Sequence, residues 1–238
     1  MLSPQQIDRM LVVMAHPDDV DFGSAGTMAW LVDQGVHVTY CLVTDGDAGG
    51  SDRTMSRSDM AALRRAEQTA AAHAVGVKDL VFLGHPDGRV QASLELRRDL
   101  SRVIREVRPQ VVVCQSPERN LDRIFASHPD HLAAGEAAMC AVYPDSQNPF
   151  AHPELLEAGL EPWKVAEIWL SGHHAPSDAV DVTDYVDVKF EALLAHASQH
   201  PDPEGMQVRV REWMRRTAEA MGVGADRMAE AYRVVLAG

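Results

Sequence analysis

Cysteine is scarce: Cys41, Cys114 and Cys140 are the only three in a chain of 238 residues, and no two stand at C-x-x-C spacing. A disulfide scaffold is thereby excluded, and the two cysteines inside apolar runs read as reduced, small hydrophobes. Positive charge is also short. Twenty-two Lys and Arg face 35 Asp and Glu, a formal net charge of −13 with no local basic patch, which argues against a nucleic acid or anionic lipid partner. Long apolar runs are missing. The longest, Ala137 to Tyr143, falls far short of the roughly 20 residues that span a bilayer, and no basic segment leads into an apolar one at the start. A cytoplasmic protein without a membrane span is the expectation, and internal repeats and low-complexity tracts are absent.

What is present is an ordinary globular composition, 46% hydrophobic and 24% charged, long enough to bury a sizeable core. Met10 to Ala15 is a short apolar run ended by polar residues, as in a strand buried on both faces of a parallel sheet. Glycines 23 and 26 precede a helix predicted over 27–34, and a second strand follows at 37–44. The Gly, Asp and Ser-rich stretch 45–57 reads as a loop, with Ser58-Asp59 capping a helix over 60–74. Strands at 80–83 and 111–114 flank a helix over 94–107, a fourth helix is predicted over 129–142, and a fifth strand over 165–170. This β-α alternation demands parallel pairing and right-handed crossovers: an α/β, Rossmann-like, doubly wound sheet with helices on both faces. Residues 1–238 read as a single domain, with a Pro-rich excursion at 144–162 and a helical C-terminal region over 184–197 and 208–221.

In an open α/β sheet, ligands bind beyond the carboxyl ends of the strands, where strand order reverses. With order 3-2-1-4-5, the segments after Ala15 and Cys114 share that crevice. The first is His16-Pro17-Asp18-Asp19; the second ends in Ser127-His128-Pro129-Asp130-His131. An imidazole and a carboxylate from one loop and an imidazole from the other supply the three ligands of an open catalytic zinc site. Taken alone, each motif is equally well a helix cap or a solvated loop; their joint placement favours a metal.

Ala15-His-Pro-Asp-Asp19, Ser127-His-Pro-Asp-His131, Phe82-Leu-Gly-His-Pro-Asp-Gly88 and Arg64-x-x-Glu67 resemble the PIG-L/LmbE-like zinc-dependent de-N-acetylases, over roughly residues 11 to 200. The family deacylates amino sugars, among them N-acetylglucosaminyl inositols, bacillithiol precursors, chitobiose and glycopeptide sugars. The resemblance implies that His16, Asp19 and His131 hold zinc, that Asp18 is the general base, that His128 is the electrostatic and acid partner, and that Asp130 orients His128. A free carboxylate beside the ion and a cationic imidazole opposite suit amide hydrolysis. Iron or cobalt would suit the same ligands. Two positions depart from the family. Val20 stands where relatives often carry Glu, and Ala126 where mycothiol-pathway relatives carry a Tyr that contacts the oxyanion, so another loop must supply any phenol; Phe125 has no hydroxyl.

Other residues carry open alternatives. Thr44 to Gly50, with Asp47 and Gly49, is either a substrate loop or a solvated one, and the resemblance favours substrate. Arg64 either reaches the substrate or pairs with Glu67 along its helix. His85-Pro-Asp87-Gly, after an edge strand, is expected to lie away from the centre. His173 and His174 are pocket wall or exposed loop, His196 and His200 satisfied or surface histidines, and Gly23-x-x-Gly26 a weak dinucleotide fragment. The expected activity is removal of an acetyl or other small acyl group from an N-acyl amino sugar. The alternatives are a thiol-conjugate amidase of the same superfamily, a non-catalytic sugar-binding protein and a nucleotide-binding protein. A homo-oligomer is the general expectation for such enzymes.

Overall fold

A computed structural model of the protein describes residues 1–50 and 52–237; Ser51, within the loop read over 45–57, and Gly238 lie outside the described residues. The apolar runs do form strands: β1 (Arg9–Met14), β2 (His37–Thr44), β3 (Asp79–His85), β4 (Val111–Gln115) and β5 (Glu167–Ser171). They pair in parallel in the order β3-β2-β1-β4-β5, and two antiparallel strands, β6 (Asp178–Asp181) and β7 (Ala229–Leu236), extend the sheet as β5-β7-β6. Pleating sends alternate residues of β1 into opposite cores. Met10, Val12 and Met14 join one, Leu11 and Val13 the other.

The helices divide by face. On the first face lie α1 (Asp19–Asp33), α2 (Arg57–Ala74), α6 (Val186–Leu194) and α7 (Pro203–Ala220), contributing Met28, Leu31, Ala71, Phe190 and Met214. On the second lie α3 (Leu94–Val107) and α4 (Pro129–Val142), contributing Leu96, Leu100, Ala134 and Ala138. The chain winds outward from β1 on one face and returns past it on the other, so β1 and β4 sit side by side with their carboxyl ends at a shared crevice. The Pro-rich stretch 144–162 holds a single 3-10 turn, Asp145–Gln147, and the short α5 (Pro153–Glu157).

Three expectations need correcting. The first helix begins at Asp19, not near Thr27, and contains Gly23 and Gly26. Those glycines are there for packing: an added Cβ on Gly23 would stand 2.5 Å from Ser171 Oγ, and one on Gly26 2.8 Å from Val182 Cβ. That also removes the dinucleotide reading of Gly23-x-x-Gly26. α2 starts at Arg57, capped by Ser56, whose Oγ accepts the Asp59 amide at 3.1 Å. The C-terminal region is not wholly helical, because β7 returns to the sheet after α7 and pairs with β5.

Candidate metal centre and active site

β1 ends at Met14, and the next residues are forced into a tight turn. Asp18 sits at φ 85°, in the left-handed region, and is the residue before α1. Its main-chain amide donates to Gln68 Oε1 at 2.8 Å, and its side chain makes no capping bond to the helix. The carboxylate is instead held by Arg64 Nη2 at 3.1 Å. Asp19 opens α1, and its Oδ2 accepts the His16 amide at 2.8 Å. Across the crevice, His128 precedes α4 and His131 lies in its first turn.

These loops bring two imidazole nitrogens and both oxygens of one carboxylate together. His16 Nδ1 lies 3.2 Å from Asp19 Oδ2 and 3.2 Å from His131 Nε2, while His131 Nε2 lies 3.0 Å from Asp19 Oδ1. Ligands of a tetrahedral zinc, each about 2.0–2.1 Å from the ion, stand roughly 3.3 Å apart, and the two imidazole nitrogens and the carboxylate approach one another at close to that spacing. The tautomer agrees. His16 Nε2 faces Asp87 Oδ1 at 3.0 Å and Asp130 Oδ2 at 3.4 Å, so in the neutral ring the proton belongs on that side and the Nδ1 lone pair would face His131. Donor set, spacing and tautomer fit a divalent metal.

The charges around this face are strongly coupled. Burial, the largest effect on His16, lowers its basicity, but hydrogen bonds and charge from Asp19 and Asp87 outweigh it and lift the imidazole to about 10. Burial acts likewise against ionised Asp19, yet His131 and His16 hold its carboxyl well below the usual range. Asp18 goes the other way: burial and the charge of Asp19 push it up to about 7 against the pull of Arg64. Burial would also raise Asp87, but the hydrogen bonds from His16 and the Ala48 amide bring it to about 2.

Asp130 does not orient His128 through its carboxylate, as expected from the sequence. At the second position of α4 its side chain turns under His16 and accepts the amides of Gly88 at 2.7 Å and Val90 at 3.3 Å. Its backbone amide is what meets His128, donating to Nδ1 at 3.2 Å. Nδ1 therefore carries a lone pair and Nε2 the proton. His128 stands at the mouth of the crevice, where partial loss of solvent and the neighbouring His16 and His131 lower its basicity. The geometry thus presents His128 to the crevice as an N–H donor through Nε2.

Arg64 is not a substrate-facing group, nor is it paired with Glu67. It is 4% exposed and donates to Gly46 O at 3.1 Å and Pro17 O at 2.6 Å as well as to Asp18, whereas Glu67 accepts from Ser198. Gly46 and Gly49 are small because Arg64 lies against them; a Cβ on Gly49 would stand 2.5 Å from Nη1. Asp47 is engaged by Arg57 Nε at 2.6 Å. None of the four tyrosines, all among the described residues, replaces the phenol absent at Ala126: Tyr40 and Tyr232 are buried in the core, Tyr185 bonds Asp33, and Tyr143 follows the far end of α4.

Asp87 is the residue that sequence reasoning missed. β3 is an edge strand, but the turn after it folds inward, fastened by the Gly88 and Val90 amides on Asp130 and by Asp87 Oδ2 on the Ala48 amide at 2.9 Å. The signal was there, a third His-Pro-Asp, of which His85 merely pairs with Asp99 at 3.1 Å. Beside β5 and β7, towards the opposite side of the sheet, lies a groove of about 780 Å³, lined in part by Phe22, Gly23, Arg123, His173, His174 and Trp213. His173 and His174 thus stand in its wall, stacked with centroids 4.5 Å apart. His196 is wholly buried, its Nε2 2.8 Å from Asp21 Oδ2 while its Nδ1 has no hydrogen-bond partner among the described residues.

A doubly wound sheet with a His-Asp-His face at its switch point defines an α/β protein with a site suited to a divalent metal. Residues 11–142, which run from β1 through α4 and include both loops, match PIG-L, GlcNAc-PI de-N-acetylase. The chain is similar to the diacetylchitobiose deacetylase of Thermococcus kodakarensis, 33% identical over 196 residues covering 82% of this chain and 72% of that protein. It is also similar to the 1D-myo-inositol 2-acetamido-2-deoxy-alpha-D-glucopyranoside deacetylase of Rhodococcus erythropolis, 30% identical over 242 residues, 80% of this chain and 81% of that one. Among solved structures, the N,N'-diacetylchitobiose deacetylase of Pyrococcus horikoshii in complex with an inhibitor superposes with TM-score 0.90 at 33% identity, over 98% of this chain and 85% of that chain. The chain belongs to the PIG-L family of metal-dependent de-N-acetylases.

Proposed function

We propose that this protein hydrolyses the acetamide of an N-acetylglucosaminyl conjugate, with zinc held by His16, Asp19 and His131 and with Asp18 as general base. The observation that carries the proposal is the convergence of His16 Nδ1, His131 Nε2 and the Asp19 carboxylate within 3.0–3.2 Å, with a second carboxylate, Asp18, free of capping duty beside it. The relatives named above act on substrates that share a 2-acetamido sugar and differ in what is attached to it. The groove past Phe22 and Trp213 is where the attached part would lie.

A zinc ion supplies Lewis acidity, lowering the pKa of water towards 7 and polarising an amide carbonyl. Asp18, oriented by Arg64, takes the proton of the attacking water. His128 donates its Nε2–H to the carbonyl oxygen as charge develops there, a role for which its Nδ1 bond to the Asp130 amide fixes the tautomer. The proton on Asp18 then passes to the leaving nitrogen, so that acetate and a free amine depart. This division of labour replaces proton donation by a cationic His128.

Acetate release from N,N'-diacetylchitobiose and from N-acetylglucosaminyl inositol by the zinc-loaded protein, compared with Asp18→Ala, tests the proposal. Turnover of one or both, falling by about 10²- to 10⁴-fold in the variant with metal retained, is expected. Wild-type rates in Asp18→Ala overturn the base assignment, and the absence of turnover on any N-acetyl amino sugar overturns the activity.

A further inference from the structure

Lys189 in α6 is wholly buried, and its Nζ lies 2.6 Å from Oε1 of Glu230 in β7, which is also buried. The pair is wired into the start of α1. Lys189 donates to the carbonyls of Asp21 at 2.8 Å and Phe22 at 2.6 Å, and Glu230 accepts the amides of Gly26 at 3.1 Å and Thr27 at 2.7 Å. The same two residues that receive Lys189 reach back to the catalytic turn, since the Asp21 and Phe22 amides donate to Asp18 O at 2.9 and 3.1 Å, the Phe22 amide through the very peptide unit whose carbonyl, that of Asp21, receives Lys189. Lys189 is thus two hydrogen bonds from the main chain of Asp18, and Asp19 lies between the points so fixed.

The pair satisfies four main-chain groups of α1, yet stability alone does not call for two buried charges to do so. A cation at a helix N-terminus opposes the macrodipole, and a buried ion pair can commonly be replaced by apolar side chains of similar size at little or no cost to stability. Gly26, moreover, leaves no room for α1 to shift towards Val182. We propose that the Lys189–Glu230 pair is a positioning device: it fixes the first turn of α1 so that the Asp19 carboxylate meets His16 and His131, and Asp18 stands beside them. This inference rests on the ligand and base assignment given above.

The test is the double variant Lys189→Met/Glu230→Leu, which leaves no orphaned charge, measured for thermal unfolding, zinc affinity by chelator competition, and kcat and KM, alongside Asp19→Ala. A folded double variant with zinc affinity lowered on the order of 10- to 100-fold, and with kcat lowered while KM is little changed, is the expected result. A double variant that binds zinc and turns over like wild type overturns the positioning role. If the double variant does not fold, Glu230→Gln, close to Glu in shape, is read by the same criteria: a lowered melting temperature alone, with zinc affinity and kcat intact, contradicts the inference. Wild-type zinc binding by Asp19→Ala instead brings down the ligand assignment, and the inference with it.

Discussion

Each side chain at the centre is defined by what occupies its other face. His16 offers Nδ1 because Nε2 is held by Asp87, His128 offers Nε2–H because Nδ1 takes the Asp130 amide, and Asp18 is available because Arg64, and not the helix end, holds it. In the metal-free protein His16 is raised to about 10, so at pH 7 to 9 it carries a proton that must leave when Nδ1 takes a metal. Zinc affinity is therefore expected to rise about tenfold per pH unit over that range, with proton uptake by the buffer, and to flatten as pH approaches the imidazole's own value. Chelator competition across the pH series checks this; affinity independent of pH contradicts it. The His-Pro-Asp-Asp and His-Pro-Asp-His motifs were legible in the sequence because strand ends at a switch point are where ligands gather. Asp87 and the true partner of Asp130 were not, because they depend on a turn folding back across two strands, which no local pattern encodes.

Among the elements, α4 carries both His128 and His131, and its distance from the sheet sets theirs. Gly135 allows that distance: a Cβ there would run into the backbone carbonyl of Gln115 at the end of β4, and Gln115 Oε1 in turn accepts the Ala15 amide at 2.9 Å, tying β4 to the residue before His16. Gly135→Ala should improve intrinsic helix propensity by up to about 1 kcal/mol, yet overpacking against backbone costs about 1–3 kcal/mol. The net expectation is a lowered denaturation midpoint and weakened metal binding, because α4 must move outward. Denaturant titration and metal competition on the same preparation read both; a more stable variant with intact metal binding contradicts this account. The helices over 94–107 and 129–142 and the strand over 37–44 were visible as sequence because apolar periodicity and capping residues agree there. The start of α1 was not, since glycines that read as a break are interior contacts, and β7 was not, since its pairing partner lies some sixty residues away.

At the scale of the whole molecule the proposed site is drawn from three strand ends: the turn after β1 gives His16, Asp18 and Asp19, that after β3 gives Asp87, and the region after β4 gives His128, Asp130 and His131. The core behind them is divided cleanly by the sheet, and among the described residues no helix is long and apolar enough to cross a membrane. The alternating pattern of the sequence foretold this doubly wound layout and its crevice, because parallel strands buried on both faces leave few other topologies. That these separate segments close on a metal is the central claim. Elemental analysis of the purified protein beside His131→Ala tests it most directly. About one equivalent of zinc per chain in the wild type, lost in the variant while its fold is retained, is the result expected. Wild-type protein without metal after growth in zinc-supplemented medium, or a His131→Ala variant that keeps its full equivalent, would contradict it.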